Sequence, residues 1–381
     1  MLLNIFIKSK RSIVFIIYLV ALFLFQTKVF GQIDNRFFHE GSNNTTWALK
    51  NKFSYQFEAL GFIKNNEYFN ELVDGYTLIG HQILPSITYK SGNYTKITAG
   101  IFIEQAYGET KINKIIPTFT LEYQKDSLQL IFGQLRGNLQ HQLIEPLYNF
   151  ENILDRRLEN GIQLKTQNRF LVTDTWVDWQ KFIRKGSDFQ EEIWAGTHLS
   201  FKYSAKSPSL VLQLTAKHKG GQINIGLGRI QTTLNAALGL KYKFDFVKSG
   251  FLKSLSTEHY LVLSKTDIST NKQLKDGLGI SNSISLNTKI LNLTLNYWLS
   301  DGYIAPNGGD LYQSISTNFK STDYIEYNRN LLILRLIKEI NLDKNLSLSI
   351  RFEPYFNFNA KELEHSEGIY LRYLISGGFG K

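Results

Sequence analysis

Leu291-Asn292-Leu293-Thr294-Leu295-Asn296-Tyr297-Trp298-Leu299 is the stretch on which the fold turns. Leu291, Leu293, Leu295, Tyr297 and Leu299 fall on one parity, and Asn292, Thr294, Asn296 and Trp298 on the other. Successive side chains of a strand point to opposite faces, so this period of two reads as a strand with one greasy and one wetter face.

The same alternation recurs on either side. Ile97, Ala99, Ile101 and Ile103 oppose Lys96, Thr98 and Glu104, and Leu234, Ala236, Leu238, Leu240, Tyr242 and Phe244 oppose Asn235, Lys241 and Lys243. Near the end, Leu346, Leu348, Ile350, Phe352 and Phe356 oppose Ser347, Ser349, Arg351, Glu353 and Asn357, and Ile369, Leu371, Tyr373 and Ile375 oppose Tyr370, Arg372 and Ser376. Segments of this kind fall near residues 53–63, 76–90, 94–105, 115–124, 128–136, 157–166, 169–180 and 191–204. They continue at 209–218, 232–244, 255–265, 277–287, 291–300, 330–340, 345–357 and 368–380, about sixteen in all. Short turns, such as Ser91-Gly92-Asn93, Lys125-Asp126-Ser127 and Gln167-Asn168, alternate with longer polar connections at 64–75, 106–114, 137–156, 181–190, 219–231, 266–276, 301–329 and 358–367. A chain that runs up and down through a membrane, with tight turns inside and long loops outside, gives this rhythm. The expected fold is all-β, a transmembrane antiparallel up-and-down barrel of about sixteen strands; a soluble barrel or sandwich is the alternative for the same aromatic richness.

Composition narrows the chemistry. The 381 residues include no Cys, which removes disulfides, thiolate metal sites, thiol catalysis and a lipoprotein anchor together. Lys8, Lys10 and Arg11 precede an apolar run from Ile13 to Phe25 and a small-residue exit at Gly31, which reads as a secretory signal over residues 1–31. An uncleaved anchor is the alternative, but the run is shorter than the ~20 residues that span a bilayer as a helix. Residues 32–381 then form one barrel domain. The net charge of +10 is spread along the chain, not gathered on a stripe, so nucleic acid is not an expected partner.

Over essentially all of this domain the sequence resembles outer-membrane β-barrels, and among them the sixteen-stranded porins. The stretch Phe132-Gly133-Gln134-Leu135-Arg136-Gly137-Asn138, with His141, Glu145-Pro146-Leu147-Tyr148, Arg156-Arg157-Leu158-Glu159-Asn160-Gly161 and Trp176-Val177-Asp178-Trp179, is similar to barrel proteins of Bacteroidota. The resemblance implies a bacterial outer-membrane location, reached through the secretory pathway. It also implies contact with the barrel assembly machinery, outer-membrane lipid and lipopolysaccharide, small hydrophilic solutes, and further copies of the chain. Tyr373, Ile375 and Phe379 match the aromatic-apolar closing strand of such barrels, although Gly380-Lys381 follows the Phe.

In porins the third long loop narrows the lumen, and here the corresponding segment 137–156 carries His141, Glu145, Tyr148, Glu151, Asp155 and Arg156 among Leu139, Leu143, Ile144, Leu147, Ile153 and Leu154. A wholly solvated loop has no need of so many apolar residues. Assigning the polar parity to the lumen gives Lys96, Lys165, Lys202, Lys217, Lys219, Lys241, Lys243, Arg335, Arg351 and Arg372 on the wall, against Glu58, Glu104, Glu122, Asp174, Asp178, Glu192, Glu339 and Glu353. Acids of the loop facing this wall would set a transverse field and a weak anion preference. A two-residue hairpin at Gln167-Asn168 would place Arg157 opposite Asp178 and Glu159 opposite Trp176, at the root of the loop.

Enzymatic motifs are thin. His198 and Ser200 share a strand face, as in a lipid hydrolase of the outer membrane, but the pattern points them into the lumen. Asp174 and Asp178, four residues apart on a strand, are ~13 Å apart, too far for a glycosidase pair. No metal spacing, phosphate loop or cofactor motif is present. The expected function is therefore a non-enzymatic, porin-like channel for small hydrophilic solutes. The alternatives are a barrel enzyme acting on lipid or lipopolysaccharide, and a plugged barrel that binds glycan or serves assembly.

Overall fold

In a computed structural model the chain is described over residues 35–39, 52–204, 207–221, 223, 228–246, 250–267 and 272–379. The expected signal and its cleavage point lie outside the described residues. The strands are β1 (Phe53–Glu67), β2 (Tyr76–Lys90), β3 (Thr95–Ala106), β4 (Lys114–Lys125), β5 (Leu128–Gln134) and β6 (Asn160–Gln167). They continue as β7 (Leu171–Lys181), β8 (Glu192–Lys202), β9 (Ser209–Lys219), β10 (Gln231–Asp245) and β11 (Leu252–Thr266). The last five are β12 (Asp276–Thr288), β13 (Asn292–Asp301), β14 (Asn328–Asn341), β15 (Leu346–Asn357) and β16 (Glu362–Gly378). Each pairs antiparallel with its sequence neighbours, and β16 returns to β1, closing a sixteen-stranded barrel. Closure joins β1 to β16, the two strands whose outer edges hydrocarbon would otherwise penalise by several kcal/mol per unpaired backbone group.

The alternation sorts as expected. On β13, Thr294, Asn296 and Trp298 are buried inside, while Leu295 and Leu299 stand exposed on the outer face. On β15, Ser349 and Arg351 are buried, while Ile350 and Phe352 face out.

Three details depart from the sequence reading. β16 starts at Glu362, so the outer connection after β15 is the four residues 358–361 and not a long loop. Glu364 and Ser366 belong to the lumen face, where they hold Asn70 and Lys64, and their polarity mimicked a loop. The β6–β7 turn is longer than two residues: Asn168 Oδ1 accepts from the backbone N–H of Phe170 and Leu171, and Gln167 pairs with Val172. Gly161 therefore lies opposite Asp178 and Gln163 opposite Trp176, a correction of four residues to the expected Arg157–Asp178 and Glu159–Trp176 register. The third departure concerns the wall itself. β5 and β6 have only 7 and 8 residues, where β1, β2, β10 and β11 have 15 each.

Candidate functional site

The chain leaves the wall after Gln134 and rejoins it at Asn160, and the segment between fills the lumen. Its apolar side chains reach the wall in three directions. Ile144 and Leu147 pack with Val211, Tyr260, Trp298, Leu331 and Tyr355. Phe150, Ile153 and Leu154 pack with Phe37, Phe38, Leu60 and Tyr370. Leu135 and Tyr148 pack with Ile131, Trp176 and Trp194. The loop after β13 joins the same filling, with Tyr303 OH donating to Pro146 O at 2.9 Å. The third loop is thus packed as a plug.

His141 lies at the plug's centre, stacked on Trp176 with ring centroids 3.5 Å apart. Its Nδ1–H donates to Asp174 at 3.0 Å and its Nε2–H to Glu159 at 2.8 Å. Carboxylates on both nitrogens require both to carry protons, because an ionised carboxylate only accepts. Burial pushes the imidazole pKa down, but Asp174 and Glu159 more than reverse this and raise it to about 9. Glu159 also accepts from Tyr148 OH at 2.9 Å and from the Asn138 N–H at 2.8 Å. Asp174 accepts from Gln163 at 2.7 Å and pairs with Lys165 at 3.1 Å.

The other lumen charges are partnered within the filling or along the wall. Glu145 meets Arg335 and Tyr312, with Arg335 also 3.0 Å from Glu353. Glu151 holds Tyr76 and Asn66 and lies 3.6 Å from Lys64. Glu58 receives both Arg157, at 2.7 Å, and Arg372, at 3.0 Å. Lys96 pairs with Glu122, Lys217 with Glu192 and Lys241 with Glu258. Arg351 stacks over Phe38 and Phe150, its guanidinium 4.7 and 4.5 Å from the ring centres. Lys219 and Lys243 sit exposed at strand ends, Lys243 beside Asp245, and Lys202 is half-buried. Most of these acids and bases meet at contact distance rather than across an open gap.

A cleft of about 320 Å³ opens in the outer part of the barrel. Asp155, Arg156, Arg157, Leu158, Glu159 and Asn160 of the plug root line its back, with Asp178, Trp179, Gln180 and Lys181 of β7 on one side and Lys114 and Ile116 of β4 on the other. Asp178 accepts from the Asn160 N–H at 2.7 Å. Arg156 donates to Asn152 at 2.8 Å and remains largely solvent-exposed. The lining combines the buried carboxylates Asp178 and Glu159, the acid-paired cations Lys114, Arg156 and Lys181, and the amides of Asn160 and Gln180, groups that can activate water towards a carbonyl carbon. His198 and Ser200 lie elsewhere, in the half of β8 next to its short turn, and neither lines the cleft. Lys114, Ile116, Gln180 and Lys181 escaped the sequence reading, and Asn160 entered it only within a resembling stretch, since nothing but the place where β5 and β6 stop distinguishes them.

Fold, closure and outer apolar face define a bacterial outer-membrane β-barrel protein. The chain belongs to the Lipid A 3'-O-deacylase-type family, whose model matches residues 42–377. This family is one of enzymes, so the expectation of a non-enzymatic protein is corrected. Among solved structures the chain is similar to OccK3 (OpdO) of Pseudomonas aeruginosa, at 14% identity and TM-score 0.54, covering 88% of this chain and 100% of that one. It is likewise similar to OmpTdeltaL8, a loop-deletion mutant of the outer membrane protein OmpT of Vibrio cholerae, at 9% identity and TM-score 0.52, covering 85% and 99%. These likenesses concern the barrel fold. Among curated proteins none matches the sequence.

Proposed function

We propose that the protein hydrolyses an acyl ester of a lipid A-type glycolipid in the outer leaflet, and that the cleft between β4 and β7 is where it does so. The carrying observation is the buried Asp178 carboxylate in a cleft at the outer ends of the strands that Arg156, Lys114 and Lys181 also line, each of these cations lying beside an acid. Asp178 takes a proton from water as the water oxygen bonds to the ester carbonyl carbon. Arg156 faces the oxyanion that forms, a role that positive charge in a partly dry cleft fills well. Collapse breaks the ester C–O bond, and the leaving alkoxide takes the proton back from Asp178, giving a fatty acid and an alcohol. Glu159 is less suited as the base, since His141, Tyr148 and Asn138 already occupy its oxygens.

The test is mass spectrometry of lipopolysaccharide incubated with the purified, folded chain. Loss of one acyl chain with release of free fatty acid is expected, falling by roughly 10²-fold or more in Asp178→Asn. Intact lipid A after incubation with a correctly folded barrel overturns the reading. Passive diffusion, the porin-like reading, draws support from the barrel alone, and it predicts steady stepwise conductance in a planar bilayer. The packing of residues 135–159 against three sides of the wall supports a silent membrane instead.

A further inference from the structure

The wall of the barrel is incomplete beside the cleft. β4 pairs with β3 from Lys114 to Tyr123, but with β5 only from Thr120 to Lys125. Over Lys114–Phe119, six residues or about 20 Å of strand, β4 has no ladder partner on its β5 side. The outward residues of this stretch, Ile115, Pro117 and Phe119, are apolar and exposed, so the free edge lies at the level of lipid chains. Ile116 belongs to the lumen parity, yet it is 37% exposed because no β5 residue stands beside it. Pro117 is at home on such an edge, having no N–H to leave unpaired.

The gap continues directly into the cleft. Ile116 and Phe102 line it on the β4 side and Leu158 and Trp179 opposite, an apolar strip along an otherwise polar cleft, with Lys114, Arg156 and Lys181 at the rim beside Glu104, Asp155 and Glu192. A free strand edge in hydrocarbon is costly unless something polar or covering meets it. A lipid whose headgroup is anionic and whose chain is apolar matches both parts of this surface, with charge at the rim and hydrocarbon beneath.

We infer that the gap between the outer half of β4 and β7 is a side entrance through which an acyl chain of an anionic outer-leaflet lipid reaches the cleft from within the membrane. As a route to catalysis this rests on the hydrolase reading; as a lipid-binding passage it stands without it.

The experiment places a tryptophan in the passage, Ile116→Trp, and reconstitutes the folded full chain with lipids brominated along the acyl chain. The quenching is read as the change in the fluorescence added over wild type. Loss of the added fluorescence is expected for Ile116→Trp, and for Leu158→Trp as a second reporter should the first variant not fold. Lys202→Trp, on the lumen face away from the gap, should keep its added fluorescence. Two vesicle compositions separate the sources: brominated lipid A, and brominated phosphatidylglycerol in phosphatidylcholine. Quenching by lipid A alone supports a glycolipid entrance, and quenching by both supports a passage for anionic lipids in general. Unquenched reporters at 116 and 158 in folded barrels overturn the entrance, whether or not acyl ester is hydrolysed. Quenching without turnover leaves the entrance standing and removes the hydrolase reading.

Discussion

The barrel has a long-strand sector and a short-strand sector, and they treat their interiors differently. Around β10 and β11, strands of 15 residues form an unbroken wall, and the side chains Ala237, Tyr260 and Val262 simply receive the plug. Around β5 and β6, strands of 7 and 8 residues stop early, and the backbone itself turns inward to become the plug. In one sector the lumen is packed by side chains meeting a passing loop. In the other the wall is given up to make the filling, and the gap that results opens onto the cleft. The plug and the cleft are therefore two results of one shortening.

The contrast can be broken most severely at Glu58, which ties the root of the plug through Arg157 to the β1–β16 seam through Arg372. Glu58→Ala leaves the buried guanidinium of Arg157 and the half-buried one of Arg372 without their carboxylate and should cost about 3–5 kcal/mol, read as a shift in the denaturant midpoint. Next comes Leu147→Ala, where the plug tip meets the long-strand side; a loss of about 2–5 kcal/mol is expected, with new protease cleavage within 137–156.

His141 sharpens the comparison through pH. Its folded pKa of about 9 stands above the ordinary value near 6.5, so its contribution is complete below about pH 6.5 and is lost as pH rises through 9. Stability of the native chain should fall across that window, and His141→Gln should lack that fall while being less stable at pH 6. A chain whose stability is flat from pH 6.5 to 9 removes the imidazolium from the plug's centre. At the small end, Lys243→Ala, at an exposed pair with Asp245, should change stability by no more than about 0.5 kcal/mol.

Much of the wall was legible in the sequence because the lipid and lumen environments impose a period of two on every strand. Trp298 among Leu295 and Leu299 shows this, buried within while the leucines face out. The burial of the third loop was legible too, in the Leu139–Leu154 apolar residues that a solvated loop would not carry, although the sequence led to a loop that narrows the lumen and kept a filled one as the alternative. Ion-pair partners were not. Arg157 meets Glu58, 99 positions away, because barrel closure and the inward path of the plug decide neighbours that sequence spacing does not encode. The hairpin register failed at one local device, the Asn168 side chain capping its own turn. The cleft stayed hidden because it is defined by where two strands end, and strand ends are set by competition between wall and plug for the same residues.

Phe37 and Phe38 lie inside the barrel against Phe150 and Tyr370, and Arg372 of the last strand donates to the Phe37 carbonyl at 2.8 Å. The amino-terminal segment, the middle of the chain and its final strand thus meet at one place, beside the seam that joins β1 to β16. Joining segments more than 300 positions apart means closing a loop of most of the chain, an entropic cost that the contacts among the three segments must offset. The same contacts couple the filling of the lumen to the closing of the wall.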